Sequence, residues 1–230
     1  MLMRLAGGER APIVVLAHTQ EQVARGAQSS GDFLREHGAQ VVHTPDTLDP
    51  DALATLLNEA KGVWIPGGDQ NRLMRRLGQS ARFVKAFRGV LERGGVAGGT
   101  SAGASLMGSL MPAGDGSATG ELRARACALA AGLGALSKCI VDQHFLKRQR
   151  LLRLLCAILQ HPDHIGIGVD EGAWAVVQQS VLTVHAGQVV LLRVSGGTRQ
   201  HRGLLGASAV ELRVLLPGDR ANLTHIICTS

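Results

Sequence analysis

Residues 98–104 read GGTSAGA, and this stretch decides the fold. It holds the pattern G-x-S-x-G around Ser101, after the apolar run 95–97 and before the small-residue segment 104–107. A serine in this setting lies on a sharp, strained turn between a buried strand and a helix, which raises its Oγ above the sheet. Glycines suit such a turn because a β-carbon there would collide with neighbouring backbone. The pattern predicts a nucleophilic serine; the alternative is an ordinary glycine-rich turn.

On both sides of this turn, apolar strand patterns alternate with helical ones, which is typical of right-handed βαβ units and a parallel sheet. We predict strands over 12–17, 40–43, 61–65, 95–98, 138–142 and 165–170, and helices over 20–37, 50–60, 71–77, 81–93 and 147–160. Short strands follow at 173–177, 181–184, 188–192 and 210–215. The expected fold is therefore α/β: three layers, α/β/α, with a mostly parallel central sheet and β-hairpin extensions near the C-terminus. We expect one domain over residues 1–230. Residues 112–120 have the composition of a loop, which could form a flap beside the serine.

Composition narrows the function classes. The chain has 230 residues, 45% of them hydrophobic, and carries a formal charge of +6. Its aromatic residues are 4 Phe, 2 Trp and no Tyr, too few for base-stacking platforms, so we expect no nucleic-acid partner. Its 4 cysteines show no metal-ligand spacing. We predict no metal, and, without a signal peptide or membrane span in the sequence, a cytoplasmic protein with no membrane partner.

A serine nucleophile needs a base, and the base needs an orienting acid. His144 follows the predicted strand 138–142, where parallel strands deliver residues to the catalytic edge of a sheet. His18 also follows a strand end and is its main rival. Asp170 and Glu171 end the strand 165–170, and strand parity indicates that only one of them faces the site without choosing between them.

Backbone amides at two further positions are candidates for an oxyanion hole. Gly68 follows the strand 61–65 in the segment PGGDQ, and Ala102 directly follows Ser101. We expect the amides of Gly68 and Ala102 to stabilise a developing oxyanion. The glycine pair in PGGDQ has a simpler explanation as a turn. Nucleophile, base, carboxylate and amide donors at four separate strand ends favour an enzyme.

With these residues placed, the chain resembles the cyanophycinases of the S51 serine peptidase family. The matching segments are 66–70 (PGGDQ), 99–104 (GTSAGA), 142–145 (DQHF) and 166–171 (GIGVDE), followed by 214–220 (VLLPGDR). They run in order over nearly the whole chain. The resemblance implies a fold like that of class I glutamine amidotransferases and a triad of Ser101, His144 and Glu171. It thus selects Glu171 over Asp170 and His144 over His18.

The resemblance also implies a substrate. It would be cyanophycin, a polyaspartate backbone with arginine attached through each side-chain carboxylate, cleaved through an acyl-enzyme to β-aspartyl-arginine without a cofactor. Residues that fall where the family lines its substrate pocket are Gln70, Asp142, Gln143, Arg148, Arg150 and Arg153. Arg148 or Arg150 would engage a substrate carboxylate, and Asp142 or Gln143 the arginine side chain. The alternative for the arginines is a solvated basic helix start. The family further implies a homodimer.

Three other interpretations are weighed against this one. An S51 aspartyl or isoaspartyl dipeptidase would share the triad but should lack the arginines after DQHF. A glutamine amidotransferase would carry Cys in place of Ser101. A non-catalytic relative on the same fold is the third. Compared with the family, the chain starts almost at the segment resembling 5–8, so we expect the family's first strand and helix to be missing. His18 also stands where a small residue is expected and would narrow the pocket.

Overall fold

The computed structural model describes residues 1–17, 21, 26–113 and 120–224. The chain divides into two compact units. The first comprises residues 1–109 and 131–136, and the second comprises residues 110–130 and 137–230. Each unit has its own main sheet and its own apolar core.

The first unit contains a four-stranded sheet in the order β2-β1-β3-β4, in which all neighbouring strands are parallel. These strands are β1 (Ile13–Val15), β2 (Val42–His43), β3 (Gly62–Ile65) and β4 (Val96–Gly99). The helices are α1 (Leu2–Ala6), α2 (Gly26–Glu36), α3 (Pro50–Glu59), α4 (Gln70–Leu77), α5 (Ala81–Glu92) and α6 (Ala102–Ser105). β1 is fully buried, as expected for a central parallel strand covered on both faces.

Helix starts in this unit follow from capping side chains. The Asp49 carboxylate accepts the Ala52 N–H at 2.8 Å, and Pro50 occupies the first helical position of α3. Asp69 caps α4 by accepting the Arg72 N–H at 3.0 Å, and Ser80 caps α5 through the Phe83 N–H. The Asp69 cap sets the start of α4 at Gln70, the last residue of the segment PGGDQ that follows β3.

The second unit is built mainly from antiparallel strands. Its largest sheet has the order β14-β11-β8-β7-β5-β6; β7 and β8 are parallel, whereas β11 runs antiparallel to β8 and β14. The strands are β5 (Gly108–Pro112), β6 (Leu129–Ala131), β7 (Leu136–Gln143), β8 (Ile165–Val169), β11 (Val189–Val194) and β14 (Val210–Leu215). A second sheet has the order β15-β10-β9, with β9 (Trp174–Gln178), β10 (Val181–Ala186) and β15 (Arg220–Asn222).

Helical and hairpin elements complete this unit. A 3-10 turn spans Ala124–Ala126, helix α7 spans Leu151–Gln160, and β12 (Thr198–His201) pairs with β13 (Leu204–Ala207). α7 packs closely on β8, because a β-carbon at Gly166 would lie 2.8 Å from Leu154 Cγ. Leu154 and Ile158 belong to a fully buried core with Phe145 from the preceding turn.

The predicted α/β fold, with parallel strands followed by C-terminal hairpins, is confirmed. The helix predicted over 147–160 begins only at Leu151, so the prediction was wrong for its first turn. Residues 145–150 form turns instead, in which Gln149 has a φ of 52°, a left-handed conformation that interrupts a right-handed helix. Arg148 and Arg150 therefore precede α7 rather than lie in it. The sequence also gave no signal for α1, β5 or the β12–β13 hairpin.

Three expectations fall wholly or partly outside the described residues. His18, the rival base, lies outside them, as do residues 114–119 of the predicted loop and residues 20 and 22–25 of the predicted first helix. Residues 26–36 of that helix form α2. The prediction of a single domain over 1–230 stays a prediction.

Candidate active site

Ser101 stands between β4 and α6 in a conformation that few non-glycine residues adopt. Its φ is 53° and its ψ is −118°, which is the strained turn that the G-x-S-x-G pattern predicts. Such a conformation costs about 1–3 kcal/mol and persists only where the surroundings enforce it. The Ser101 carbonyl accepts the N–H groups of Ala104 and Ser105 at 3.0 and 3.2 Å, which fixes the serine at the start of α6.

The two glycines of the pattern are required by close backbone approaches. A β-carbon at Gly103 would overlap the Ile65 carbonyl at the end of β3. A β-carbon at Gly99 would lie 2.7 Å from the same Ile65 oxygen and 2.5 Å from the Gly103 carbonyl carbon. The Thr100 N–H donates to that oxygen at 3.0 Å. The end of β3 and the serine turn are therefore held together with no room for a side chain.

The segment after β3 passes directly over the serine. A β-carbon at Gly67 would stand 3.4 Å from Ser101 Cβ and 3.8 Å from Ser101 Oγ. Gly68, next along the chain, is exposed, whereas Ala102 is buried. Gln70 is the first residue of α4 and is half-buried. Within the first unit, the structure thus brings the Gly67–Gly68 backbone to the serine turn.

His144 and Glu171 form a pair in the second unit. They follow the neighbouring parallel strands β7 and β8, whose last residues Gln143 and Val169 are paired in register. The Nδ1–H of His144 donates to Glu171 Oε1 at 2.7 Å, and Lys147 Nζ lies 3.4 Å from the same oxygen. Hydrogen bonding with Asp170 and with His144 lowers the pKa of the Glu171 carboxyl to about 2, with help from the Lys147 charge.

Asp170 has a different task. One of its carboxylate oxygens accepts the backbone N–H groups of Leu146 and Lys147, each at 3.0 Å, and the other accepts the Glu171 N–H at 3.0 Å. These bonds satisfy amide donors of the turn that follows His144. Strand parity alone could not tell which of the two carboxylates faces the imidazole. In the structure, Glu171 is the one that hydrogen-bonds to it.

The turn carrying His144 is anchored to β8 by Phe145. The Phe145 ring is buried against β8, where a β-carbon at Gly168 would overlap it. The Arg150 N–H donates to the Phe145 carbonyl at 2.8 Å, and the Arg148 N–H donates to the His144 carbonyl at 3.0 Å. His144 itself has a φ of 50°. The imidazole therefore extends from a hydrogen-bonded turn that is fixed to the core by the buried Phe145 ring.

Asp142 and Arg153 form an ion pair in the interior of the second unit. Asp142 is 0% exposed and Arg153 is 2% exposed. Arg153 Nε donates to Asp142 Oδ2 at 2.9 Å, its Nη2 donates to Asp142 Oδ1, and the Gln143 N–H donates to that same Oδ1 at 2.9 Å. The buried Arg150 donates from Nη1 to the Gln143 carbonyl at 2.6 Å. This network holds the residue just before His144, while Arg148 is exposed.

The structure thus gathers the sequence-predicted residues into two groups. Ser101, Ala102, Gly68 and Gln70 lie in the first unit; His144, Glu171, Asp142, Gln143, Arg148, Arg150 and Arg153 lie in the second. Sequence reasoning missed Lys147 as a partner of Glu171. Its only signal was its place three residues after His144, a spacing that puts two side chains on the same side of a helical turn.

Within residues 1–17, 21, 26–113 and 120–224, no group of three or more His, Cys, Asp or Glu side chains is arranged to hold a metal ion. No helix in the same part of the chain has the length and apolar character needed to cross a membrane.

The sequence is similar to those of known proteins. Residues 12–185 match the family model "Peptidase family S51". A cyanophycinase of Synechococcus elongatus is 35% identical over 178 residues, which are 75% of this chain and 55% of that protein. A cyanophycinase of Trichormus variabilis is 32% identical over 234 residues, 95% of this chain and 77% of that protein. This chain therefore spans little more than half of the first relative's length.

A solved structure supports the fold independently. The crystal structure of a peptidase from an acI-B1 Actinobacterium superposes with a TM-score of 0.69 at 17% identity, covering 96% of this chain and 88% of that one. At this identity the likeness concerns the fold alone.

Proposed function

Because this chain belongs to peptidase family S51, we propose that it is a serine peptidase that cleaves cyanophycin to β-aspartyl-arginine through Ser101, His144 and Glu171. The observation that carries the proposal is the bond between His144 Nδ1 and Glu171 Oε1 at 2.7 Å, at the ends of adjacent parallel strands. A carboxylate on Nδ1 fixes the imidazole tautomer that makes Nε2 a proton acceptor. The strained turn at Ser101 is the second support.

The proposed reaction is acyl transfer. His144 Nε2 takes the proton of Ser101 Oγ as that oxygen attacks the carbonyl carbon of a backbone peptide bond in the polyaspartate chain. Backbone amides of Gly68 and Ala102 stabilise the oxyanion of the tetrahedral intermediate. His144 then gives its proton to the leaving amine as the C–N bond breaks. Water, deprotonated by His144, attacks the acyl-enzyme and releases the acid and the free serine. No cofactor takes part.

Substrate contacts are proposed from exposure and charge. Each unit of cyanophycin carries a carboxylate and a guanidinium. Arg148 is exposed just after His144, and a guanidinium binds a carboxylate bidentately, so it is the first choice for that group. Gln70 and Gln143 offer amide groups to the dipeptide. We propose that Asp142, Arg150 and Arg153 support the pocket wall without touching its surface. They are buried and are bonded to one another or to the Gln143 backbone.

The decisive experiment is incubation of the purified chain with cyanophycin, with soluble products followed by mass spectrometry. The expected result is release of β-aspartyl-arginine by the wild type and none by Ser101→Ala or His144→Ala of equal thermal stability. A folded wild type that releases nothing from cyanophycin but hydrolyses a panel of β-aspartyl or α-aspartyl dipeptides would replace the proposal with a dipeptidase. Inactivity on both, together with no labelling of Ser101 by a fluorophosphonate probe, would indicate a non-catalytic relative.

A homodimer is proposed as the state in solution. Its support is the terminal strand β14 of the large sheet, which exposes Leu212 and Val214 by 48% and 49%. Multi-angle light scattering of the wild type and of Leu212→Glu tests it, with a monomeric wild type as the contrary result. The cytoplasmic location stays a prediction.

A further inference from the structure

A stacked aromatic pair lies on the hairpin that follows Glu171. The indole of Trp174 and the imidazole of His185 have ring centroids 4.4 Å apart and an interplanar angle of 10°. Both residues are exposed, and the Trp174 side chain retains 41% of its accessible surface. The exposed part of the indole is therefore accessible to a ligand.

A break in strand pairing creates this arrangement. Val184 pairs with Ala175 and Ala186 pairs with Trp174, so His185 is the extra residue of a β-bulge in β10. In a regular ladder, successive side chains alternate between the two faces of the sheet. A bulge re-aims one side chain, and bulges of this kind are common beside active sites. Here the bulge brings His185 flat against Trp174.

The position of the pair ties it to the site. The Ala173 N–H donates to the Asp170 carbonyl at 3.1 Å, so residues 170–173 form a tight turn that leads from the carboxylate pair into β9. Trp174 lies three positions after Glu171, which limits the distance between their Cα atoms to about 11 Å. That distance is comparable with the reach of one extended arginyl group.

The charges around the pair suit a cation. The Val184 N–H, next to the bulge, donates to the Asp219 carbonyl at 3.1 Å, and Gly218 returns a bond to the Val184 carbonyl at 2.9 Å. The turn bearing the exposed Asp219 carboxylate, which accepts the Leu216 N–H at 2.9 Å, therefore adjoins Val184, the residue before His185, and Glu171 lies three positions before Trp174. Arg220, paired with Thr183, is the cation on the same segment.

From this geometry we propose that Trp174 and His185 form the specificity subsite that receives an arginyl guanidinium of the substrate. The guanidinium is planar, weakly hydrated and permanently charged, and it stacks on aromatic faces, the indole above all. The stacked imidazole holds the indole in place, so less rotational freedom is lost when the ligand binds. The subsite rests on the proposed function, since cyanophycin supplies one guanidinium for every aspartate.

Binding without turnover tests the subsite. Ser101→Ala protein is titrated with β-aspartyl-arginine and with β-aspartyl-citrulline, whose urea group has the same shape without the charge, and affinities are measured by calorimetry. We expect the arginyl ligand to bind about tenfold more tightly. Adding Trp174→Leu should bring the two affinities together, Trp174→Phe should keep part of the preference, and His185→Ala should reduce it.

Tryptophan fluorescence provides a second readout. The chain has 2 tryptophans, and the other, Trp64, lies in β3 of the first unit. The arginyl ligand should change the emission of Ser101→Ala protein but not that of the Trp174→Phe variant. Equal preference for arginine in the folded Trp174→Leu variant would overturn the subsite. Because these measurements need no hydrolysis, an absence of peptidase activity would contradict the proposed function without producing that result.

Discussion

The imidazole of His144 and the carboxylate of Glu171 are joined by a 2.7 Å hydrogen bond, although 27 residues separate them in the chain. Two parallel strands in register end beside each other and bring them together. The neighbouring Asp170 takes no part in this bond, because its oxygens accept backbone N–H groups. Of two adjacent carboxylates, one thus contacts the imidazole and the other binds backbone N–H groups.

Exchanging each carboxylate for its amide should separate these functions. We expect Glu171→Gln to lower kcat by at least about a hundredfold with little change in stability, because an amide neither fixes the His144 tautomer nor stabilises an imidazolium. Asp170→Asn should lower the free energy of unfolding by about 1–3 kcal/mol, because its amide nitrogen cannot accept the N–H groups. Kinetics with cyanophycin and urea denaturation of both variants make the comparison. The opposite ranking of kcat would transfer the catalytic role to Asp170.

The ionised form of Glu171 should persist to unusually low pH. The pKa of Glu171 is lowered from an ordinary 4.5 to about 2 in the folded state, so folding stabilises the ionised carboxylate. Its contribution to stability is therefore complete above about pH 4.5 and is lost as the pH falls towards 2. Carbon-13 NMR of the labelled Glu171 carboxyl should show a midpoint near 2, raised by His144→Ala. A midpoint near 4.5 in the wild type would contradict the bonded geometry.

The strain at Ser101 should be measurable as stability. Ser101→Gly is expected to raise the free energy of unfolding by about 1 kcal/mol, because glycine adopts the φ of 53° without penalty although it loses more backbone entropy on folding. Ser101→Ala keeps the β-carbon and should leave stability nearly unchanged. Both variants should lack peptidase activity. Thermal and urea unfolding of the three proteins test this, and a less stable glycine variant would show that the turn is unstrained.

Local patterns predicted those parts of the site that are set by chain geometry nearby. Gly99 and Gly103 predicted the strained turn at Ser101, because a β-carbon at either position would collide with backbone atoms. Apolar runs located β7 and β8, and so placed His144 and the carboxylates at one sheet edge. Amphipathic spacing alone also predicted α7, whose residues 154 and 158 face the core.

Distant partners account for what the sequence did not reveal. The start of α7 was misplaced because residues 145–150 form turns, in which Gln149 has a φ of 52° and the N–H groups of Leu146 and Lys147 donate to Asp170, more than twenty residues away. The arginines after His144 looked alike in sequence, yet Arg153 is buried against Asp142 while Arg148 is exposed. Burial of a charge depends on which partner tertiary packing supplies, and no local pattern contains that information.

The buried pair of Asp142 and Arg153 supports the following prediction. Arg153→Met should lower the free energy of unfolding by about 3–5 kcal/mol, because it leaves a carboxylate in the interior without its main partner. Asp142→Leu combined with Arg153→Met should recover much of that loss, because the remaining side chains are apolar. Urea denaturation of the single and double variants measures the difference. A single variant as stable as the wild type would show that the pair is solvated.

The glycine after the serine turn provides the last prediction. Gly103→Ala places a methyl group on the Ile65 carbonyl, a backbone atom that cannot move without separating β3 from the turn. We expect a loss of about 3 kcal/mol or more in the free energy of unfolding, and with it the loss of the Ser101 conformation. Gly197→Ala is the matched control, because a β-carbon there meets nothing within 4 Å. Thermal unfolding and fluorophosphonate labelling of Ser101 should both be impaired in the first variant and unchanged in the second. Equal stability of the two variants would mean that the close approach of Gly103 to β3 is absent in solution.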